Sequence, residues 1–149
     1  MQSRRAQKGF TLLEIMVVLV ILGILAAVVV SNIGGEPDRA RIVKVKQDVG
    51  TMESALESYK LDNFRYPSTE QGLKALTRKP EGEPEPRNYR QGGYIKRLEK
   101  DPWGNPYQYT APGEHGEFDL YSFGADGQSG GEGVDADVGN WNAEDEKDK

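Results

Sequence analysis

A long apolar run near the N-terminus constrains this chain more than any other feature. Residues 10–30, FTLLEIMVVLVILGILAAVVV, contain one charged side chain, that of Glu14. A helix of this length spans about 30 Å, the thickness of the hydrocarbon core of a bilayer. We therefore predict a hydrophobic transmembrane helix over residues 10–35.

The segment ahead of this run, residues 1–9, is a short basic leader with Arg4, Arg5 and Lys8. A common secretory signal fits poorly, because its apolar region is usually 7–15 residues long and ends at a small-x-small site that is missing here. An uncleaved anchor is the next alternative. Lys8 lies next to the apolar run, and no basic residue follows the run before Arg39, which favours an N-terminus inside and the bulk of the chain outside.

Glu14 is unexpected at its position. A charged side chain in the bilayer costs about 2.5–3.5 kcal/mol on insertion scales, so an acid retained there indicates a function. A pair with a group on the same helix, or a side chain that reaches back to the interface, is the structural alternative.

Composition excludes several functions for the remainder of the chain. It has no cysteine and one histidine, so it offers no disulfide, thiolate nucleophile, Cys-type zinc site or multi-histidine metal site. The net charge of −5 argues against nucleic acid as a partner. A membrane-anchored enzyme would need a nucleophile–base or acid pair, and the sequence supplies none beyond clustered aspartates. We predict that the chain is not an enzyme.

Periodicity predicts an α+β fold in which a long N-terminal helix packs on a small antiparallel sheet. Gly34, Gly35 and Pro37 break the first helical pattern. An amphipathic helix follows, with apolar residues at steps of three and four: Ile42, Val45, Val49, Met52, Leu56 and Tyr59. Ser68 and Gln71 form the pattern of a capping box that opens a short helix over residues 69–76.

The C-terminal half is predicted to contain loops and a hairpin. Residues 80–94 are rich in proline, glycine and charge, and predict an exposed loop. Residues 107–110 and 118–123 predict the two strands of a hairpin. His115 lies in the turn between them, where we expect a solvated histidine without a catalytic partner.

Asp126, Asp135 and Asp137 lie in a glycine-rich stretch, residues 122–141. Aspartates on a permissive backbone suit Ca²⁺, which takes 6–8 oxygen ligands. The order of residues is not that of an EF-hand, and a single G-G-x-G-x-D copy cannot build a stacked β-roll. From composition alone, a solvated acidic turn is an equal alternative.

The N-terminal sequence KGFTLLEIMVVLVILGILAA resembles the prepilin N-terminus of type IV pilins and type II secretion pseudopilins. The resemblance implies that a prepilin peptidase cuts between Gly9 and Phe10 and that Phe10 becomes N-methylated. It also implies that Glu14 pairs with the Phe10 amine of a neighbouring subunit during assembly. Ser31 stands where the family usually has a proline, so the bend of the long helix is expected at residues 34–37 instead.

The motifs DPWGNPY, DLYSFGADG and ADVGNW resemble those of the major pseudopilins of type II secretion systems. The resemblance implies a pilin-like fold with a Gly/Asp-rich C-terminal loop that binds structural Ca²⁺. The implied ligands are the carboxylates of Asp126, Asp135 and Asp137 and the backbone carbonyls of Phe123 and Val134.

The implied function is that of the major structural subunit of a pseudopilus, a periplasmic filament that drives export of folded proteins across the outer membrane. Residues 10–35 would form the filament core, residues 36–142 a periplasmic globular domain and residues 143–149 a disordered acidic tail. The implied location is the inner membrane, with a single span. The implied partners are further copies of the chain, minor pseudopilins, the prepilin peptidase, the inner-membrane assembly platform and the outer-membrane secretin. The alternative is a type IV pilin for adhesion or motility, which would more often carry a C-terminal cysteine pair.

Overall fold

The computed structural model describes residues 11–33 and 36–143, and within residues 26–36 it describes only the backbone. Gly9, Phe10 and most of the acidic tail therefore lie outside the described residues. The chain divides into two compact units, Met1–Pro37 and Asp38–Lys149.

The first unit contains helix α1, Leu12–Ile33. Thr11 caps it, because the backbone N–H of Glu14 donates to the Thr11 hydroxyl over 3.2 Å. Thr11 and Glu14 are spaced as in a capping box, a pattern that the sequence analysis overlooked. The helix continues through Ser31, and its described side chains, from Leu12 to Leu25, are all exposed. Among the described residues, no helix meets the length and apolarity needed to cross a membrane.

The second unit is organised around helix α2, Glu36–Asn63. Pro37 lies in its first turn, where a missing N–H does no harm. The predicted apolar stripe is confirmed: its members from Val45 to Tyr59 are buried, and Ile42 packs on the same cluster. α1 ends at Ile33 and α2 begins at Glu36, and the predicted helix break at Gly34 and Gly35 lies outside the described residues.

A three-stranded antiparallel sheet packs with α2. Its strands are β1, Gln108–Thr110, β2, Asp119–Ser122, and β3, Val138–Gly139, in the order β1-β2-β3. Tyr109 lies opposite Leu120, and Ser122 lies opposite Val138. The predicted hairpin is confirmed, whereas β3 was not predicted. Leu120, Tyr109, Phe118 and Val138 join the stripe of α2 in one core.

The predicted helix over residues 69–76 is only partly correct. The capping box is present, since the N–H of Ser68 donates to Gln71 Oε1 over 3.1 Å and the N–H of Gln71 donates to Ser68 Oγ over 3.3 Å. The helical segment itself, however, is a 3-10 helix over Leu73–Leu76. Gly72 has a φ of 57°, which a right-handed helix cannot continue through.

The loop of residues 80–94 is less exposed than predicted. Tyr89 and Tyr94 pack on Tyr59 of α2, with ring centroids 6.3 and 5.2 Å from that ring. Asn63, at the end of α2, donates its amide to the Tyr94 hydroxyl and accepts from the N–H of Asn88. Aromatic side chains therefore fix a loop whose composition predicts exposure.

Candidate functional site in the glycine-rich loop

Residues 123–137 connect β2 to β3, and a buried carboxylate anchors the start of this loop. Ser122, the last residue of β2, donates its hydroxyl to Asp101 Oδ2 over 2.6 Å and accepts from the N–H of Gly124 over 3.1 Å. The other oxygen of Asp101 accepts from the N–H groups of Trp103 and Asn105 over 3.1 and 2.8 Å. The DPWGNP turn and the glycine-rich loop thus share one hydrogen-bonded network.

Close backbone contacts require glycine at two points of the loop. Gly124 has a φ of 75°, and a Cβ there would lie 2.8 Å from the Val134 carbonyl oxygen. Gly131 has a φ of 82°, and a Cβ there would lie 3.1 Å from the Cβ of Asp135. Both positions have the left-handed φ that glycine adopts at no cost. The loop therefore folds back closely on the 3-10 helix Gly133–Asp135.

The predicted calcium ligands lie in this loop with their own local partners. Asp126 Oδ1 accepts from the N–H of Gln128 over 3.0 Å, and Asp137 Oδ2 accepts from the N–H of Gly130 over 3.0 Å. Asp135 ends the 3-10 helix. Within residues 11–33 and 36–143, no three His, Cys, Asp or Glu side chains are grouped so as to hold a metal ion.

The two predicted carbonyl ligands lie at the start of the loop and in its 3-10 helix. The Val134 carbonyl accepts from the N–H of Ala125 over 2.9 Å, which leaves it a second lone pair. Phe123 follows β2 directly, and its ring meets that of Tyr121 edge to face at 5.2 Å.

Asp137 provides the strongest chemical signal of the loop. Its Oδ1 is buried and has no hydrogen-bond partner among the described residues. A buried, unpaired carboxylate oxygen costs free energy unless a cation or water reaches it. Together with burial, the charge of Asp137 also raises the pKa of Tyr121. Asp137 Oδ1 is therefore an acceptor that a water molecule or a cation could still satisfy.

His115 was predicted to be a solvated turn residue without a partner, and this is wrong in part. Its side chain is about half exposed, but Nδ1 lies 2.9 Å from Asp119 Oδ2, and the ring stacks on Trp141 with centroids 4.1 Å apart. Asp119 is buried, with 5% of its side chain exposed, and also accepts from the N–H groups of Glu114 and His115. Burial raises the pKa of Asp119, but these hydrogen bonds outweigh burial and lower it overall.

This stack fastens the segment after β3 to the hairpin turn. Trp141 also meets Tyr121 edge to face at 5.3 Å. A cavity of about 390 Å³ lies beside the stack, and its lining includes His115, Trp141 and Asp137. Sequence reasoning missed the contact because His115 and Trp141 are far apart in the chain.

The predicted assembly residue Glu14 lies in the first turn of α1 and is exposed. The predicted processing residues, Gly9 and Phe10, lie outside the described residues.

Comparisons with known proteins give a consistent result. The family model described as "Type II secretion system (T2SS), protein G" matches residues 32–141, and the one described as "Prokaryotic N-terminal methylation motif" matches residues 4–30. The chain is 60% identical over 139 residues to the type II secretion system core protein G of Pseudomonas aeruginosa, covering 93% of this chain and 98% of that protein. It is 50% identical over 141 residues to the Escherichia coli K12 protein of the same name, covering 95% of both chains.

A solved structure is also similar. The crystal structure of the major pseudopilin from the type 2 secretion system of enterohaemorrhagic Escherichia coli matches with a TM-score of 0.66 and 52% identity. The match covers 74% of this chain and 94% of that chain.

Proposed function

Because the chain belongs to the family of type II secretion system protein G, the major pseudopilins of that system, we propose that it is the main subunit of a pseudopilus that drives export of folded proteins across the outer membrane. The chain is a structural component of this secretion system and not an enzyme. The family match over residues 32–141 carries the proposal, and it favours a pseudopilin over the alternative, a type IV pilin for adhesion or motility.

We propose that a prepilin peptidase cuts between Gly9 and Phe10 and that the new N-terminus is methylated. The methylation motif over residues 4–30 supports this processing. Its test is the intact mass of the chain extracted from cells that carry an active prepilin peptidase. We expect a chain that begins at Phe10 with one added methyl group, and a chain that still begins at Met1 would contradict the proposal.

The exposed apolar side chains of α1 support a role for this helix in the membrane and then in the filament core. An isolated helix with an apolar surface all round needs lipid or other helices to cover it. We propose a single inner-membrane span with the second unit in the periplasm. Glu14 would pair with the Phe10 amine of the next copy. The Thr11 cap of α1 is compatible with that role, because it uses the backbone N–H of Glu14 and not its carboxylate.

Partners follow from the same proposal. Further copies of the chain would form the helical filament, and minor pseudopilins would join it. The inner-membrane assembly platform would add subunits, and the outer-membrane secretin would form the exit.

We further propose that the glycine-rich loop binds one structural Ca²⁺. Asp137 would supply its unpaired oxygen, with Asp126 and Asp135 as further carboxylates and Phe123 and Val134 as carbonyl donors. Because the described carboxylates are not grouped, binding would have to draw them together. When bound, the ion would supply positive charge and oxygen coordination that order the loop.

The test compares thermal unfolding of the full-length chain with Ca²⁺ and with a chelator. A ligand that binds only the folded state stabilises it by about 2.7 kcal/mol at a hundred times its Kd, so Ca²⁺ should raise the wild-type midpoint. Asp137→Ala should abolish the response. Glu132→Ala is the matched control in the same loop, and it should keep the response. Equal wild-type midpoints in both solutions would refute the site.

A further inference from the structure

The glycine-rich loop contains the one place in the sequence where an aspartate or asparagine is followed by glycine, Asp126–Gly127. The other two aspartates of the loop precede Ala136 and Val138, whose side chains crowd the peptide nitrogen that follows each carboxyl group. Glycine has no Cβ, so it leaves the nitrogen next to the Asp126 carboxyl group open. Asp126 is therefore the aspartate whose side chain can most easily react with its own backbone.

The Gly127 nitrogen is available for such a reaction. Its N–H has no hydrogen-bond partner among the residues that the structure describes. Residues 126–130 are all exposed, so water can satisfy this N–H without a protein partner. Exposed segments with few contacts open locally at little cost in free energy. The loop can therefore adjust its geometry without unfolding the core.

The Asp126 carboxylate is folded back toward this nitrogen. Its Oδ1 accepts from the N–H of Gln128 over 3.0 Å. An aspartate that bonds to the N–H two residues further on forms an Asx turn, in which the side chain lies over the intervening peptide bond. Gly127 has the positive φ of 67° that glycine adopts without strain. The turn thus keeps the carboxyl carbon beside the peptide bond with which it would react.

We propose that Asp126 is a modification site at which the folded chain slowly converts to isoaspartate. The Gly127 nitrogen bonds to Cγ of Asp126, and one carboxyl oxygen leaves as water with the amide proton and the carboxyl proton. Water then opens the resulting succinimide ring. Cleavage of the bond from nitrogen to Cγ restores aspartate, whereas cleavage of the bond from nitrogen to the main-chain carbonyl carbon gives isoaspartate. One water molecule is released and one is taken up, so no other reagent is needed.

Conversion changes the shape of the loop but not its charge. The main chain gains one methylene group, and the carboxylate moves to the α-carbon. The change falls directly after Ala125, whose N–H donates to the Val134 carbonyl over 2.9 Å and fastens the loop. Converted chains should therefore lose their response to Ca²⁺. This last consequence rests on the proposed calcium site, whereas the conversion itself does not.

The test is to age the folded full-length chain at growth temperature in the presence of a chelator. A protease that cuts before aspartate does not cut before isoaspartate, so the fragments 119–125 and 126–134 should be replaced by an uncut fragment 119–134. An isoaspartyl methyltransferase should transfer a methyl group to the same fragment. Unchanged fragments in the folded chain, under conditions in which the chain unfolded in urea converts, would overturn the proposal.

Asp126→Glu tests the assignment to this residue. Glutamate keeps the charge, but its ring would need one more atom and closes far more slowly, so methyl transfer to the fragment should be lost. Asp135→Glu is the matched control in the same loop, and it should accept methyl groups like the wild type. Methyl transfer to Asp126→Glu at the wild-type level would overturn the assignment.

The rate of conversion separates a site of the folded chain from a reaction of unfolded molecules. The free N–H of Gly127 and the folded-back carboxylate leave little to rearrange. We therefore expect the rate in the folded chain to lie within about tenfold of the rate in urea, which corresponds to about 1.4 kcal/mol in the barrier. A larger reduction would show that the folded loop protects Asp126, and it would overturn the proposal.

Ageing with Ca²⁺ distinguishes this inference from the proposed calcium site. If Ca²⁺ raises the thermal midpoint, it should also slow the conversion, because a carboxylate oxygen bound to the ion is not free to leave. Equal midpoints with Ca²⁺ and with chelator would refute the calcium site, and equal conversion in both solutions would still support the modification site. A raised midpoint with no slowing would overturn the expected protection and exclude Asp126 as a ligand.

Discussion

Asp101 should be among the most important single side chains for the stability of the second unit. Its carboxylate is 4% exposed and accepts three hydrogen bonds, from Ser122 Oγ and from the N–H groups of Trp103 and Asn105. Asp101→Ala leaves these three donors without their acceptor. A buried donor left unsatisfied costs about 1–3 kcal/mol. Because two of the donors are only partly buried, we expect a total loss of about 3–5 kcal/mol.

A loss of this size is a large part of the 5–15 kcal/mol by which domains are usually stable. The measurement is urea unfolding of the full-length chain, followed by circular dichroism, with the slope m checked for constancy. Asp101→Asn should lose less than Asp101→Ala, since the amide keeps one acceptor oxygen and the shape of the side chain. Ser122 also binds the N–H of Gly124, so Asp101→Ala should reduce the stabilisation by Ca²⁺ as well.

Asp38→Ala is the matched control. Asp38 forms an exposed ion pair with Arg41 at 2.8 Å, and such pairs contribute about 1 kcal/mol or less. If Asp101→Ala costs no more than Asp38→Ala, the reasoning from unsatisfied donors is wrong for this site.

Three further predictions test other parts of the fold by thermal or chemical unfolding. Gly50→Ala in the interior of α2, where a Cβ meets no atom within 4 Å, should stabilise the chain by about 0.8–1 kcal/mol. A variant with a lower thermal midpoint than the wild type would contradict the claim that the position has room for a Cβ. Gly139→Ala should destabilise it by about 1–3 kcal/mol, since its Cβ would lie 2.5 Å from the Trp141 ring, whereas Gly116→Ala, with its nearest atom at 3.9 Å, should be neutral. The lowered pKa of Asp119 stabilises the folded state above the ordinary carboxyl pKa of about 3.9, and this contribution is lost as the pH falls below it. Stability of the wild type should therefore fall more steeply below about pH 4 than that of Asp119→Asn, and parallel curves would contradict the assignment.

The sequence predicted those parts of the fold that depend on neighbours along the chain. The stripe of α2 repeats every three or four residues, and burial of Val45 and Leu56 follows from that spacing. The capping box of Ser68 and Gln71 formed as predicted, but the φ of Gly72 stopped the helix. Glycine permits a positive φ without requiring it, so the residue type alone could not predict that the helix is interrupted at Gly72.

Contacts between distant segments could not be predicted. The hydrogen bond from Ser122 to Asp101 spans 21 residues, and DPWGNPY by itself indicated only a turn. β3 is two residues long, too short for any alternation to be visible. At the candidate site, the sequence alone showed aspartates whose carboxylates suit a cation, but it could not predict that one oxygen of Asp137 is buried.

The pairing of β2 with β3 has a consequence for the entropy of the loop between them. Ser122 lies opposite Val138, so the sheet already brings together the ends of a segment of about 15 residues. Closing a loop of that length costs about 2 kcal/mol by the (3/2)RT ln n relation. A ligand of the loop therefore has to restrict only its interior, while the core holds its ends through Val138. Loop ordering and sheet formation are then one cooperative event, and a substitution that frays β3 should loosen the loop without altering any of its own residues.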